Sequence, residues 1–560
     1  MKYQLNENIA INEMLNQVVE KINDLAQKQV EHIQRLTRIG EALSGETDLA
    51  KIFDMILEEA IEYTGADGAT IYMYNEQTQQ LEFEIVYNRT MNMRQGGSHG
   101  KVDWPPIPLY DEDGKPRINR IVTSVYHTKE LVYFDDVYKA EGYDVSGTMM
   151  TDKSRNYRSK SMVTLPLKNH ENEVLGIIQM INAMDKDGNI ISFNDEHCTM
   201  LSSLASQAAI ALSNRHLIES LETLLMQFMS AIAKAIERKS KYSSNHITRV
   251  AELTDMFALK LNENGRGKLK DLKFNANELK ELSMAGMMHD VGKIVTPEFI
   301  MDKSTKLETI MDRISLVSQR FITMKTLLRY VKASLPVAEY EARIKAWFGD
   351  KVEADKIEAY LDSELEFITK VNQGGEWLSD EVVDRISALA EINFEYEGLH
   401  YFLISEDEKN NLQIRKGTLM PEEIKEMAQH VSVTWEMLSR LTFPKKYANV
   451  ATYAAQHHEK LNGTGYPHGL TAEQIPMQSR IIAIADIFEA LTAPDRPYTK
   501  AKTLSQALNI MAKCVKDGEL DRDLVDFFLE SGLYLDFANE YMDPAQIDDP
   551  DIKALKSIYS

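Results

Sequence analysis

At 560 residues and 44% hydrophobic content, the chain is long enough for about three domains of ~100–200 residues each. Its 63 Lys and Arg against 86 Asp and Glu give a net charge of −23, which argues against a nucleic-acid polymer or an anionic membrane as partner. Only Cys198 and Cys514 are present, so no disulfide framework is expected. No run of roughly 18 apolar residues occurs, and MKYQLNENIA lacks a signal-like core, so a soluble, cytoplasmic protein is expected.

Residues 1–40 place Ile11, Leu15, Val18, Ile22, Leu25, Gln29, Ile33 and Leu36 three or four apart, a heptad-like helix interrupted at Gln29. A homodimer seam and a helix packed on its own domain are both open. Residues 41–217 change character. Helical text to Thr64 gives way to two strands rich in β-branched and aromatic residues, Ala69 to Tyr74 and Leu81 to Tyr87. A stretch with Gly96, Gly97, Gly100, Pro105, Pro106 and Pro108 reads as loop. Strands return at SMVTLPLKN and EVLGIIQMIN, and a helix from Asp195 through Leu212 closes the unit.

TGADGATIY, the LPLKN…VLGIIQMIN pair and SLASQAAIAL resemble a GAF domain. The resemblance implies an α+β fold, an antiparallel sheet with helices on it and a pocket under the loops. The signature of cyclic-nucleotide-binding GAF domains is matched only in part, by Asn182, Phe193 and Asp195. A small GAF ligand and a purely structural or dimerising role both stay open. Residues 206–236 contain no Gly or Pro and read as a connecting helix that overlaps the end of this unit.

Titratable residues then gather. His246 opens a helix, with Ser243, Ser244 and Asn245 as N-cap candidates. His289 and Asp290 end a helical stretch from Leu279 to Met288 and are followed by Gly292 and Lys293. His457 and His458 are adjacent, on what reads as a short helix. Neighbouring side chains there diverge by about 100°, so both rings cannot face one apolar core. Asn462, Gly463, Gly465 and Pro467 then force an irregular loop with permissive backbone at the two glycines. Asp486 interrupts an apolar helix, where an unpaired carboxylate is costly and a cationic partner is expected. Imidazoles and carboxylates in this combination suit divalent metals.

HDVGK, HHEKLNGTGYP and DRPYTK, in that order, resemble the HD-GYP family of cyclic dinucleotide phosphodiesterases over residues 221–540, with a C-terminal tail at 541–560. The resemblance implies an all-α helical bundle after the GAF domain. It adds His430, on a helix from Pro421 to Leu441, to the ligand set His246, His289, Asp290, His457, His458 and Asp486. We assign His246, His289 and Asp486 to one divalent ion and His430, His457 and His458 to a second, with Asp290 bridging. Iron or manganese is favoured. Lys293 is expected to meet phosphate, Arg496 and Lys500 to contact the second phosphate, and Gly465, Tyr466 and Pro467 to shape the pocket wall and a surface for a protein partner. The implied activity is hydrolysis of cyclic di-GMP to pGpG and onward to GMP, regulated by the GAF domain. Hydrolysis of the mixed cyclic GMP/AMP dinucleotide and a non-catalytic receptor are the alternatives.

Two positions depart from the family pattern: Asn462 stands where Asp is common, and Tyr242 where some members carry an acidic residue. A stretch of about a hundred residues, 306–416, interrupts the family text. It reads as mainly helical, with Met311, Ile314, Val317, Phe321, Met324 and Leu328 in one stripe. His400 and His468 match no ligand position and are expected at the surface.

Overall fold

The computed structural model describes residues 9–46, 48–239, 245–349, 352–375, 377–493 and 502–560. The chain divides into two compact units, Met1–Leu224 and Leu225–Ser560. Among the described residues, no helix is long and apolar enough to cross a membrane.

The first unit is a sheet with helices. Helices α1 (Ile9–Gly45) and α2 (Leu49–Thr64) precede strands β1 (Gly68–Asn75), β2 (Gln80–Asn88), β3 (Met93–Gly96) and β4 (Ile107–Pro108). Helix α3 (Ile121–Thr128), β5 (Val132–Phe134), α4 (Ser146–Arg155), β6 (Met162–Lys168) and β7 (Val174–Ile181) follow. The strands order as β3-β2-β1-β7-β6-β5, with β4 beside β2, and every pairing is antiparallel. Alternation sends Ala69 and Ile71 of β1 to one face and Tyr72 to the other. The first face packs on Ile39, Leu43, Ile56, Leu57 and Leu204 of the helices, and the second on Val122 and Val125 of α3. Asp48 caps α2 by accepting from the Ala50 N–H, and Gly65 ends it in the left-handed conformation at φ 62°.

The stretch read as loop between β2 and β6 in fact carries β3, β4, β5, α3 and α4. Each is too short for a hydrophobic period to show in the sequence. Helix α1 uses its apolar positions in two ways. Ile39 and Leu43 are buried in the unit's core, whereas Val18, Ile22, Leu25 and Ile33 are exposed.

Helix α5 (Asp195–Glu237) runs on from the short strands β8 (Ala183–Met184) and β9 (Ile190–Ile191). Its 43 residues divide between the units. Helices α6 (His246–Asn264), α7 (Ala276–Met288) and α8 (Glu298–Met301) open the remainder of the second unit. Next come α9 (Ile314–Ser334), α10 (Val337–Phe348), α11 (Ile357–Asn372), α12 (Asp380–Ala390), the hairpin β10 (Asn393–Tyr396) and β11 (Leu399–Phe402), and α13 (Glu406–Leu412). The unit closes with α14 (Pro421–Ser439), α15 (Val450–Ala455), α16 (Met477–Thr492), α17 (Leu504–Lys516), α18 (Arg522–Glu530), α19 (Leu533–Tyr541) and α20 (Ile552–Ser557).

This unit has two cores. One joins Val250, Leu253 and Phe257 of α6, Leu282 and Ala285 of α7, Ile481 and Phe488 of α16, and Phe528 of α18. The other is made by Leu307 to Leu412 alone, within the interrupting stretch, through residues such as Val317, Phe321, Leu361 and Ile386. Its two ends are held together by buried lysines. Lys303 donates to Glu423 at 2.8 Å and to Asn411 at 3.0 Å, and Lys306 donates to the carbonyls of Leu412 and Ile414 at 3.0 and 2.8 Å. With entry and exit stapled side by side, the long excursion need not distort the bundle. Two details differ from the sequence reading of this stretch. Met311 precedes α9 and is exposed, so it leaves the buried stripe, and the hairpin was not anticipated because Gly398 supplies its turn within an otherwise helical text.

Candidate metal centre

Five segments deliver the candidate ligands. His246 is the first residue of α6; Asn245 sits at its cap at φ 65° without a side-chain bond, so the expected N-cap is not made there. Ser243, Ser244 and Tyr242 lie outside the described residues. The helix end is capped from elsewhere: the buried Glu237 carboxylate accepts from the Thr248 N–H at 3.1 Å. His289 ends α7, whose start carries a capping box between Asn275 and Glu278. His430 lies on α14 and Asp486 on α16. His457 and His458 are not helical. Helix α15 stops at Ala455 and the pair occupies the turn after it, which lets both rings face His430, with centroids 5.9 and 5.2 Å away.

The seven side chains converge. His246, His289 and Asp486 place one ligand atom each within 4.8 Å of one another, as do His430, His457 and His458, and also His289, Asp290 and His457. Asp290 lies between the first two groups with its oxygens divided. Its Oδ2 is 3.3 Å from His246 Nε2 and 3.2 Å from His289 Nε2, and its Oδ1 is 3.4 Å from His430 Nε2 and 4.0 Å from His457 Nε2.

The tautomers follow from the partners. His289, His430 and His457 each set Nδ1 against the carbonyl three residues earlier, Gly286 at 2.7 Å, Met427 at 2.6 Å and Ala454 at 2.6 Å. A carbonyl only accepts, so Nδ1 carries the proton and Nε2 presents a lone pair. All three Nε2 atoms are buried without a hydrogen-bond partner. Buried lone pairs gathered this closely are costly unless cations meet them, so this donor set fits divalent metal. Burial lowers the pKa values of His430 and His457, and takes His458 down to about 4, so these rings are neutral near pH 7. Burial alone would raise the pKa of Asp290. The Lys293 ammonium, 2.5 Å from its Oδ2, holds it well below the usual carboxylate range.

The loop after His458 forms one wall. Tyr466 stacks on His458 with centroids 4.9 Å apart at 27°. Gly463 takes φ 78°, as its permissive reading requires. Gly465 is needed for space instead, since a Cβ there would lie 2.3 Å from the Lys460 nitrogen. The sequence reading passed over Glu459. Its buried carboxylate accepts from the N–H groups of His468 and Leu470, both at 2.8 Å, and holds the loop. A carboxylate directly behind a histidine pair was the available signal. Asn462 bonds the Asp517 carbonyl at 2.8 Å and accepts from Thr464, a turn-making role. Arg496 and Lys500 lie outside the described residues. His400 and His468 are exposed.

Two domain models match the chain, one within the sheet-and-helix unit and one within the helical unit. A GAF domain matches residues 48–212 and an HD domain residues 407–524. The HD match starts near the end of the interruption, so tertiary contact alone joins His246, His289 and Asp290 to the four candidate ligands inside it. Over 82 residues, 15% of this chain and 19% of the relative, the chain is 45% identical to 3'3'-cGAMP-specific phosphodiesterase 1 of Vibrio cholerae serotype O1. Over 100 residues, 18% of this chain and 26% of the relative, it is 38% identical to the cyclic di-GMP phosphodiesterase response regulator RpfG of Xanthomonas campestris pv. campestris. Over 98 residues, again 18% and 26%, it is 38% identical to a cyclic di-GMP phosphodiesterase of Thermotoga maritima. The chain therefore spans between 19% and 26% of the length of these curated relatives.

Proposed function

We propose that the chain is a metal-dependent phosphodiesterase that hydrolyses cyclic di-GMP to pGpG and onward to GMP, with the GAF domain regulating it. The observation that carries this reading is the division of the Asp290 oxygens between two groups of imidazoles, in which His289, His430 and His457 have a buried Nε2 without a hydrogen-bond partner. His246, His289 and Asp486 would hold one divalent ion, His430, His457 and His458 another, with Asp290 shared. Iron or manganese, bound there, supplies charge neutralisation at the phosphate and a nucleophile at neutral pH. Lys293, partly exposed beside Asp290, would receive a non-bridging phosphate oxygen. His458 and Tyr466 would bound the substrate on one side, Arg496 and Lys500 would meet its second phosphate, and the Gly465-Tyr466-Pro467 loop would also offer a protein surface. Two ions rather than three are proposed, because the Glu237 carboxylate is engaged at the start of α6. Elemental analysis with anomalous scattering tests the count, and a third ion on Glu237 or Tyr242 would refute it.

The mixed cyclic GMP/AMP dinucleotide is a second reading, favoured by the 45% identity to a relative named for that substrate. Steady-state turnover with a panel of cyclic dinucleotides separates the two. No turnover of any member by metal-loaded protein would leave the non-catalytic receptor as the reading.

A homodimer is part of the proposal. On α5, the exposed Leu217, Leu221, Leu224 and Phe228 recur at spacings of four, three and four, the repeat of a coiled-coil seam. Light scattering that found only monomer at micromolar concentration would overturn it.

A further inference from the structure

The histidines of the centre are not supported alike. His289, His430 and His457 rest Nδ1 on neutral backbone carbonyls. His246 Nδ1 instead meets the carboxylate of Glu489, one turn beyond Asp486 on α16, and Glu489 is buried to 1% exposure. Its other oxygen accepts from Arg249 Nε at 2.6 Å, from the helix that carries His246. A carboxylate behind a ligating imidazole fixes its ring, keeps the proton on Nδ1 and makes Nε2 more basic than a carbonyl does. The His246 group also contains Asp486, whereas the His430 group offers three imidazoles and no carboxylate of its own.

We infer that Glu489 is a positioning residue for His246, and that through it the His246–His289–Asp486 group binds a divalent ion more tightly than the His430–His457–His458 group. The inference rests on the two-ion reading above and adds an order of affinity to it. Replacement by an amide is informative because Arg249 fixes its orientation. With Arg249 Nε donating to the amide oxygen, the NH2 faces His246 Nδ1 and drives the proton onto Nε2, where it blocks an ion.

The test is titration of metal-stripped full-length protein with Mn2+, following free and bound ion by electron paramagnetic resonance. Wild type should take up two Mn2+ per chain in two resolved steps, the tighter lost in His246→Ala and the weaker in His458→Ala. Glu489→Gln should weaken the tighter step by about 10–100-fold and leave the other unchanged. The stripped Glu489→Gln protein should melt close to stripped wild type. If Glu489→Gln weakened both steps alike, or neither, the positioning role would be overturned while the two-ion reading stood. If His458→Ala removed the tighter step, the order of affinity would be wrong. If wild type bound no Mn2+ beyond trace, the two-ion reading itself would fall, and this inference with it.

Discussion

Gly292 packs against the His430 carbonyl with no room for a side chain: a Cβ on Gly292 would lie 1.9 Å from that oxygen and 2.7 Å from the Thr434 nitrogen. Thr434 closes the contact. Its hydroxyl accepts from the Gly292 N–H at 3.0 Å and donates to the His289 carbonyl at 3.1 Å. The segment that follows Asp290 is thereby fastened to α14, and the two imidazole groups are held at a fixed separation.

Gly292→Ala should therefore push the 291–295 turn off α14. Backbone atoms cannot yield as a flexible side chain can, so the expected loss is at least the 1–3 kcal/mol typical of overpacking, about the cost of a methylene forced into a filled core. Thermal unfolding and bound-metal analysis check it. An alanine variant with wild-type melting and metal content would show that the contact is loose.

Asp290→Ala should abolish hydrolysis and reduce bound metal, because its two oxygens are the only carboxylate atoms set between both groups among the described residues. The first unit should keep its fold, as read by circular dichroism and limited proteolysis. Near-normal turnover by a metal-replete variant would refute the bridging role.

Lys293→Ala should keep its metal and lose rate, by about 10²-fold or more for one preorganised charged donor. Metal content and single-turnover rate measured on the same preparation separate the roles. Metal falling in step with activity would instead make Lys293 a structural partner of Asp290, 2.5 Å away.

Asp255 provides a pH signature away from the ligands. Burial pushes its pKa up from 3.8 to about 6, despite the Ser283 hydroxyl that donates to it at 2.9 Å. The folded state thus holds this proton more tightly than the unfolded chain. Its contribution to stability is full below pH 3.8 and lost as pH rises through about 6. Asp255→Asn should stabilise the protein at pH 7, by on the order of 2 kcal/mol, and the difference should vanish near pH 4. Denaturant melts of both proteins at the two pH values check the sign, and a variant less stable than wild type at pH 7 would contradict it.

Lys239 reaches the same turn from the end of α5. Its ammonium donates to the carbonyls of Ile294, Thr296 at 2.7 Å and Lys293 at 3.4 Å. Lys239→Met should remove a charge-assisted cap worth about 1–2 kcal/mol and speed amide exchange across Val291 to Thr296. Unchanged exchange there would show that the cap is dispensable.

The sequence by itself determined which residue types gather as candidate ligands and most of the elements that carry them. The Asp486 carboxylate in the apolar text of α16, a histidine opening α6 and an HD pair closing α7 are local signals, because burying such groups demands a partner wherever the chain goes. Long strands β1, β2, β6 and β7 were legible as runs of seven or more residues rich in apolar, β-branched and aromatic side chains. Tertiary structure decided what depends on distance. Which oxygen of Asp290 faces which imidazoles, that Glu489 rather than a carbonyl supports His246, and that Gly292 must lack a side chain because His430 lies against it are contacts between residues on different elements, far apart in the chain. The HH pair shows the limit most directly. Its residues announced a candidate ligand pair, but the helix they were read on ends at Ala455; both rings lie against His430, and Glu459 holds the loop that follows by accepting from the N–H groups of His468 and Leu470.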